Sequence, residues 1–363
     1  MMRKIIAGSA GRSPLFLWPA VGVCDIFGLL YCRIMRKGAC KMASLKKLGI
    51  LTSGGDSPGM NAAVRAAARC AIGMGIEVFG IMRGYEGLLD GDLRPLGPRD
   101  VGGIIHRGGT ILQTARSERF MQSEGQDEAA SLLKERGVEG LVVIGGDGSF
   151  RGAVELQKRG ISVIGVPGTI DNDIAGTDLT IGFRTAVETA LDAVMRLRDT
   201  ASSHDRLFIV EVMGRRSGFL ALDVAVAGGA EAVIVPEVQF NIGKLIDRLH
   251  KAREKGKTHS LIILAEGVMP AHELRDRIQD TGGYEARVTV LGHIQRGGSP
   301  CSVDIILASR MGSAAAEALE SGQSGVMTAI RCGSIELPPI SVSWETKKHL
   351  DPEMMRLVEV LGE

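Results

Sequence analysis

The run Leu141-Val142-Val143-Ile144 is apolar at every position and stops abruptly at Gly145-Gly146-Asp147-Gly148. A strand with one wet face alternates apolar and polar residues. A strand without alternation is covered on both sides, as in parallel sheets sandwiched between helices. Short apolar runs recur from Leu48 onward, separated by stretches of helical periodicity. The patterns predict strands at 47–51, 76–81, 140–144, 161–166, 206–212, 232–235, 260–264, 286–291 and 326–330. They predict helices at 59–74, 127–136, 149–159, 182–200, 215–227, 241–256, 270–280 and 302–320. Such alternation means an α/β fold, in which ligands bind at the carboxyl ends of the strands. Within 182–200, Phe183, Val187, Leu191, Val194 and Leu197 form one apolar stripe, and Thr185 with Glu188 is expected to make a capping box.

The 363 residues suffice for about two domains of ordinary size. Hydrophobic residues, at 45 %, exclude a disordered chain; aromatics are only 4 %, so the core must come from Val, Ile, Leu, Ala and Met. With 43 basic and 42 acidic residues, the charge balance argues against nucleic acid or a membrane surface as partner. The 49 glycines exceed the usual share of about 7 % and gather after apolar runs, where backbone would approach a ligand. Of six cysteines, Cys24, Cys32 and Cys40 lie in the first 41 residues and Cys70, Cys301 and Cys332 are widely scattered. Without a CxxC pair they form neither a disulfide framework nor a zinc pattern, and a reducing, cytoplasmic setting fits them.

Residues 1–41 stand apart, with seven basic residues and the single acid Asp25. Leu15 to Tyr31 superficially resembles a secretory signal, but Pro14, Pro19 and Asp25 interrupt it and no small-x-small cleavage site follows. It is also short for a membrane helix of about 20 apolar residues. Met42 opens a natural lead into the first strand, so 1–41 is expected to be a non-native upstream extension; a genuine, poorly ordered tail is the alternative.

Four loops carry candidate chemistry. Thr52-Ser53-Gly54-Gly55-Asp56-Ser57-Pro58-Gly59 turns a strand into a helix and could face backbone N–H groups towards an anion, although an ordinary tight turn explains it equally well. Gly145-Gly146-Asp147-Gly148-Ser149 surrounds one carboxylate with glycines, so that Asp147 could hold Mg²⁺ beside phosphates. It is neither a GxGxxG nor a Walker A loop, and a second Gly-Gly-Asp in one chain is hard to read as a plain turn. Pro167-Gly168-Thr169-Ile170-Asp171-Asn172-Asp173 offers two carboxylates, one as base and one near metal; by itself it is also a common turn composition. The last group is arginine-rich: Arg116, Arg206, Met213-Gly214-Arg215-Arg216-Ser217-Gly218, Arg287 and Gly292-His293-Ile294-Gln295-Arg296-Gly297-Gly298. Guanidinium forks suit phosphate and a phosphoryl transition state. His293 fits either a hydroxyl contact or a structural histidine.

Taken together these loops closely resemble the ATP-dependent 6-phosphofructokinases. The matching strings lie at 51–63, 142–149, 167–173, 211–215 and 291–298, in that family's order and spacing, and the resemblance runs from Met42 to the C-terminus. It implies two doubly wound, mostly parallel sheet domains: 42–182 plus 296–349 for ATP, and 183–295 plus 350–363 for fructose 6-phosphate. It further implies Mg-dependent transfer of the ATP γ-phosphoryl group to the sugar 1-hydroxyl in glycolysis, in a homotetramer. Carried over by motif position, Asp171 is the base, Thr169 lies beside the transferring group, Asp173 and Asp147 lie near the metal, and Arg116 and Arg215 stabilise charge. Gly55, Tyr85, Arg116, Asp147, Gly148 and Ser149 match the nucleotide side. Thr169, Asp171, Met213, Gly214, Arg215, Glu266, His293 and Arg296 match the sugar side, with Arg206 and Arg287 reaching in from a neighbouring subunit.

Pyrophosphate-using relatives carry Asp at the position of Gly148 and Lys at that of Gly168; two glycines leave room for a nucleoside, which favours ATP. Arg65, Arg69, Arg198, Glu231, Lys255 and Lys257 resemble an allosteric set for ADP or phosphoenolpyruvate. One arginine of that set falls near Pro98, with Arg99 beside it, and Ser117 to Gln122 departs from the family's adenine-side pattern. Two other readings compete: a Gly-Gly-Asp-Gly kinase of the NAD or lipid type, and a non-catalytic sugar-phosphate sensor. The first leaves Thr-Ile-Asp-Asn-Asp and Gly-His-Ile-Gln-Arg unexplained, and the second fits poorly with Asp147 and Asp171 both present.

Overall fold

The computed structural model describes residues 45–362 apart from Asp205 and Thr258. The expectations for residues 1–41 and Met42 lie outside this range.

The first half of the chain runs β1 (Lys47–Thr52), α1 (Met60–Gly73), β2 (Glu77–Ile81), α2 (Gly84–Leu89), β3 (Leu93–Pro95), α3 (Ser123–Glu135), β4 (Gly140–Gly145), α4 (Asp147–Lys158) and β5 (Ser162–Pro167). Then come α5 (Phe183–His204), β6 (Leu207–Val212), α6 (Phe219–Gly228), β7 (Ala232–Ile234), α7 (Ile242–Glu254), β8 (Ser260–Ala265), α8 (Ala271–Gly282) and β9 (Ala286–Val290). The remainder is α9 (Ser302–Glu320), β10 (Val326–Met327), β11 (Ala329–Arg331), β12 (Ser334–Glu336), α10 (Val342–Glu345) and α11 (Pro352–Leu361).

Beside the two-stranded β11–β12 hairpin, the strands form two larger sheets, ordered β10-β5-β4-β1-β2-β3 and β7-β8-β6-β9. Every pairing in them is parallel except the edge pair β2–β3. The non-alternating runs do what their composition requires. Val142 and Ile144 face a core built with α1 and α9, while Leu141 and Val143 face one built with α3 and α4. Full burial of each such side chain stabilises by about 1.5–3 kcal/mol. In the smaller sheet, Phe208 and Val210 meet α5 and α6, whereas Leu207 and Ile209 meet α7 and α8.

Strand order fixes where ligands can bind. In the larger sheet the chain moves from β1 to β2 on one side and returns to β4 on the other, so the exits of β1 and β4 flank a crevice. Those exits are the two Gly-Gly-Asp loops. In the smaller sheet the corresponding reversal lies at β6, between β8 and β9, whose exits carry Arg215, Glu266 and the His293–Arg296 turn.

Several local expectations are corrected. Thr185 does not cap α5. The helix begins two residues earlier, and both the N–H and the hydroxyl of Thr185 donate to Asp304 Oδ2, at 2.7 and 2.6 Å. The helix expected from 215 begins at Phe219, because Gly214 (φ 144°) and Arg215 (φ 53°) are drawn into a loop. The helix expected at 127 begins at Ser123. The strand expected at 326–330 divides into β10 and β11, and periodicity missed α2, β3, β12 and α10, which are too short to show a period. It also missed α11, whose start was signalled by Pro352 after Asp351, a side-chain cap on Glu353 N at 2.8 Å. Among the described residues Cys70, Cys301 and Cys332 are free, and no helix is long and apolar enough to cross a membrane.

Candidate active site

The exit of β5 folds back on itself. Gly168 N–H donates to Gly145 O at 3.0 Å and Thr169 N–H to Ile181 O at 3.1 Å, while Thr180 Oγ1 donates to Thr169 O at 2.6 Å. This turn carries Asp171 to a nearly closed position, 4 % exposed, with Oδ1 buried and without a hydrogen-bond partner. Burial raises the Asp171 pKa from 3.8 to about 6; Asp173 and Glu266 push it the same way, and Arg296 and Arg215 oppose them. Asp173 is also raised, by burial first and then by the charge of Asp147. Asp147, Asp171, Asp173, Arg215, Arg296 and Glu266, expected from five separate loops, therefore share one electrostatic neighbourhood.

Hydrogen bonds lock the arginine loop to this turn. Arg215 N–H donates to Glu266 Oε1 at 2.9 Å, and Ser217 Oγ donates to the carbonyl of Asp171 at 3.1 Å. Met213 and Gly214 are buried, while the Arg215 side chain is exposed. Arg215 and Asn172 (φ 51°) are both non-glycine residues in the left-handed region, a conformation that costs about 1–3 kcal/mol and clusters at functional sites. From the far side, Arg296 Nη1 donates to Asp56 O at 3.1 Å, lying across Gly55. A Cβ on Gly55 would meet that guanidinium, so a side chain there would push Arg296 aside. His293 is exposed on the same 3-10 turn, Gly292–Arg296, whose Gln295 is fully buried.

At the exit of β4, Asp147 opens α4, where a carboxylate complements the helix dipole. Gly148 is exposed at the second position, and Ser149 is buried. Tyr85 sits beneath this turn: its hydroxyl donates to Ser149 O at 2.5 Å, and its ring stacks on Phe120 with centroids 4.1 Å apart. Arg116 is exposed on the loop before Phe120.

Two groups of expected residues are not brought to this cleft. Arg206 precedes β6 and Arg287 lies second in β9, paired to Glu285 at 2.6 Å, so both occupy the amino end of the sheet, opposite Arg215 and His293. The allosteric set divides: Arg65 and Arg69 ride on α1, with Arg69 donating to Pro98 O at 3.1 Å. Arg198, Glu231, Lys255 and Lys257 belong to the smaller sheet's side, where Lys257 lies 2.9 Å from Glu231 Oε1 and Arg198 donates to Gly229 O at 3.1 Å.

Sequence reasoning missed Asn172, Ser217 and Lys348. Lys348 donates to Asn172 Oδ1 at 3.0 Å, and burial brings its pKa down to about 8 against the pull of Asp178, Asp173 and Asp223. Asp-Asn-Asp is itself a left-handed-turn signal and could have exposed Asn172; Ser217 and Lys348 carry no comparable mark.

The family model for Phosphofructokinase matches residues 47–319. The chain is 53% identical over 321 residues to "ATP-dependent 6-phosphofructokinase 1" of Thermus thermophilus, covering 88% of this chain and 100% of that protein. It is likewise 53% identical over 318 residues to "ATP-dependent 6-phosphofructokinase" of Listeria monocytogenes, with 88% and 100% covered. Among solved structures it resembles phosphofructokinase from Saccharomyces cerevisiae, with TM-score 0.78 and 34% identity over 83% of this chain; it spans 45% of that longer chain. A pyrophosphate-dependent phosphofructokinase from Marinobacter aquaeolei shares the fold, with TM-score 0.75 at 22% identity over 87% of this chain and 91% of that one. In sequence, in strand order and in the loops that meet at its cleft, the chain belongs to the phosphofructokinase family.

Proposed function

We propose that this chain transfers the γ-phosphoryl group of ATP to the 1-hydroxyl of fructose 6-phosphate, giving fructose 1,6-bisphosphate and ADP in glycolysis. The observation that carries this reading is Asp171, buried with one carboxylate oxygen unpartnered and within reach of the opposing charges of Asp173 and of Arg296 and Arg215. The sugar phosphate lies against Met213, Gly214, Glu266, His293 and Arg296, and the nucleotide along Gly55, Asp147, Gly148 and Ser149, above the buried Tyr85. Asp171 takes the proton of the 1-hydroxyl as the new O–P bond forms. The bond from the γ-phosphorus to the bridging oxygen breaks, and its electron pair leaves with ADP. A pKa near 6 keeps this base ionised at neutral pH yet close enough to accept a proton. Arg215 and Arg116 neutralise charge on the group in flight, with Thr169 beside it.

A divalent cation suits the carboxylates present. Asp147 raises the pKa of Asp173, so a cation between them relieves that repulsion. Among the described residues no cluster of three or more His, Cys, Asp or Glu could hold a metal, so Asp147 and Asp173 would share Mg²⁺ with nucleotide oxygens. When bound there, Mg²⁺ would screen phosphate charge during transfer.

The larger sheet, 42–182 plus 296–349, serves ATP, and 183–295 plus 350–363 serves the sugar phosphate. Arg206 and Arg287, placed away from the cleft, act on a neighbouring copy's sugar phosphate in a homotetramer. Between copies, Arg65 and Arg69 of one meet Arg198, Glu231, Lys255 and Lys257 of another to bind ADP or phosphoenolpyruvate. The setting is the cytoplasm. A coupled assay tests the reading: with fructose 6-phosphate and Mg²⁺, ATP supports turnover, pyrophosphate does not, and Asp171→Ala retains sugar-phosphate binding but loses most of kcat. Turnover with pyrophosphate alone discards the donor assignment. Hyperbolic fructose 6-phosphate curves indifferent to ADP and phosphoenolpyruvate discard the effector site.

A further inference from the structure

Lys348 lies half-buried between two exposed neighbours, Lys347 and His349, on the segment that leads from α10 into α11. Its ammonium donates to Asn172 Oδ1 and to the carbonyl of Asp178, each at 3.0 Å, and stands 5.2 Å from the centre of the Phe219 ring. Asn172 separates the two carboxylates of the β5 exit, and Phe219 is the first residue of α6, directly after the arginine loop. One cation therefore touches both the aspartate turn of the larger sheet and the helix start that follows the arginine loop of the smaller one.

Asn172 is a residue that needs holding. Its left-handed backbone is unfavourable for any side chain, although asparagine tolerates it best. Asn172 Oδ1 also accepts from Thr180 N–H at 3.1 Å, and Asn172 Nδ2 donates to the Asp178 carbonyl at 3.4 Å. Lys348 thus grips both the oxygen and the carbonyl that define the turn. Removing its ammonium leaves Asn172 Oδ1 held by Thr180 alone, which loosens the peptides that aim Asp171 and Asp173. The carboxylates of Asp173, Asp178 and Asp223 surround the ammonium electrostatically, which offsets the cost of drawing a cation out of water.

We propose that Lys348 is a positioning residue for phosphoryl transfer, acting through Asn172 to fix the aim of the two flanking carboxylates while joining their turn to the start of α6. This rests on the kinase reading above. Lys348 touches no reacting atom, so its effect belongs on the chemical step. A misplacement of about 1 Å in a catalytic group can cost about a hundredfold in rate.

The test uses the full-length protein with ATP, fructose 6-phosphate and Mg²⁺. Lys348→Met lowers kcat by about tenfold or more, leaves KM for both substrates within about threefold, and keeps the wild-type circular dichroism spectrum. Lys348→Arg, which retains a cationic donor, regains at least part of the lost kcat. Adding Asn172→Ala to Lys348→Met costs little more than the larger single loss, because both act through one contact. The proposal is overturned by wild-type kcat in the Met variant, by a loss confined to KM, by an Arg variant no better than Met, or by additive losses in the double variant. An unfolded Met variant overturns it too, since Lys348 would then be a structural strut. A wild-type protein inactive with ATP and fructose 6-phosphate removes the kinase reading itself, before any variant is compared.

Discussion

Ser217 donates its hydroxyl to the main-chain carbonyl of Asp171 at 3.1 Å, so a side chain from the smaller sheet's arginine loop holds the peptide that presents the larger sheet's buried carboxylate. The same oxygen lies 3.0 Å from Gly214 O, the residue before Arg215. The turn that carries Asp171 and the loop that carries Arg215 are thus registered against each other through one hydroxyl.

Ser217→Ala tests this tie. The serine is 6 % exposed, and the variant leaves buried carbonyls short of a donor at a cost of about 1–3 kcal/mol. The expected outcome is a modest fall in thermal stability together with a several-fold fall in kcat, measured by melting curves and steady-state rates. A variant with reduced stability but unchanged kcat would show that the hydroxyl serves packing alone.

Asp171 makes opposite demands on stability and activity. Its pKa, moved from 3.8 to about 6, means that the folded protein holds this proton more tightly than the unfolded chain does. Between those two values stability therefore falls as pH rises, and above about 6 the whole penalty persists. Asp171→Asn removes the charge, so stability at pH 7.5 should rise, by about 3 kcal/mol at most, and the melting temperature with it. Its kcat should fall by about a hundredfold to ten-thousandfold, the usual share of a general base. In the unaltered protein kcat should decline as pH drops through about 6, following protonation of the base.

The larger sheet and its exits were legible because burial on both faces leaves strands without alternation, and because two Gly-Gly-Asp loops in one chain are hard to read as plain turns. Leu141 to Ile144 reads directly as a doubly covered strand, and the structure divides its residues between two cores. What stayed hidden depends on contacts distant in sequence. Lys348 is one of two adjacent lysines in a polar tract, 176 residues from its partner Asn172. Thr185 and Glu188 have the spacing of a cap, but the acceptor that Thr185 uses lies 119 residues away. Local pattern reports propensity, and tertiary bonds of this kind override it.

Gly148 and Gly168, the two glycines expected to favour ATP over pyrophosphate, are not equivalent. A Cβ at Gly148 meets nothing within 4 Å, so the protein itself leaves room for a side chain there. At Gly168 a Cβ would sit 3.1 Å from Met60 Cε and 3.2 Å from Ile144 Cγ2. Gly148→Asp should therefore fold with little change in melting temperature while kcat/KM for ATP falls by about tenfold or more, through a carboxylate set against phosphates. Gly168→Lys should lower both stability and ATP turnover, because it strains the β5 exit as well. Equal melting losses in the two variants would refute the distinction.

Asp304, fully buried at the start of α9, is the anchor for the beginning of α5. Its Oδ2 accepts from Thr185 N–H and Oγ1, and Thr185 Oγ1 in turn accepts from Cys301 N–H at 3.0 Å. The helix that enters the smaller sheet is thereby fastened to the helix that packs on the larger one. Asp304→Ala leaves two buried donors without an acceptor and opens a void, which should cost about 3 kcal/mol or more. Thr185→Val removes the hydroxyl from the same network but leaves its backbone donor in place, at about 1–2 kcal/mol. Because the two residues share these bonds, the double variant should lose clearly less than the sum of the single losses, as read from urea unfolding midpoints. Strict additivity would mean that the carboxyl group stabilises α5 by a route other than Thr185.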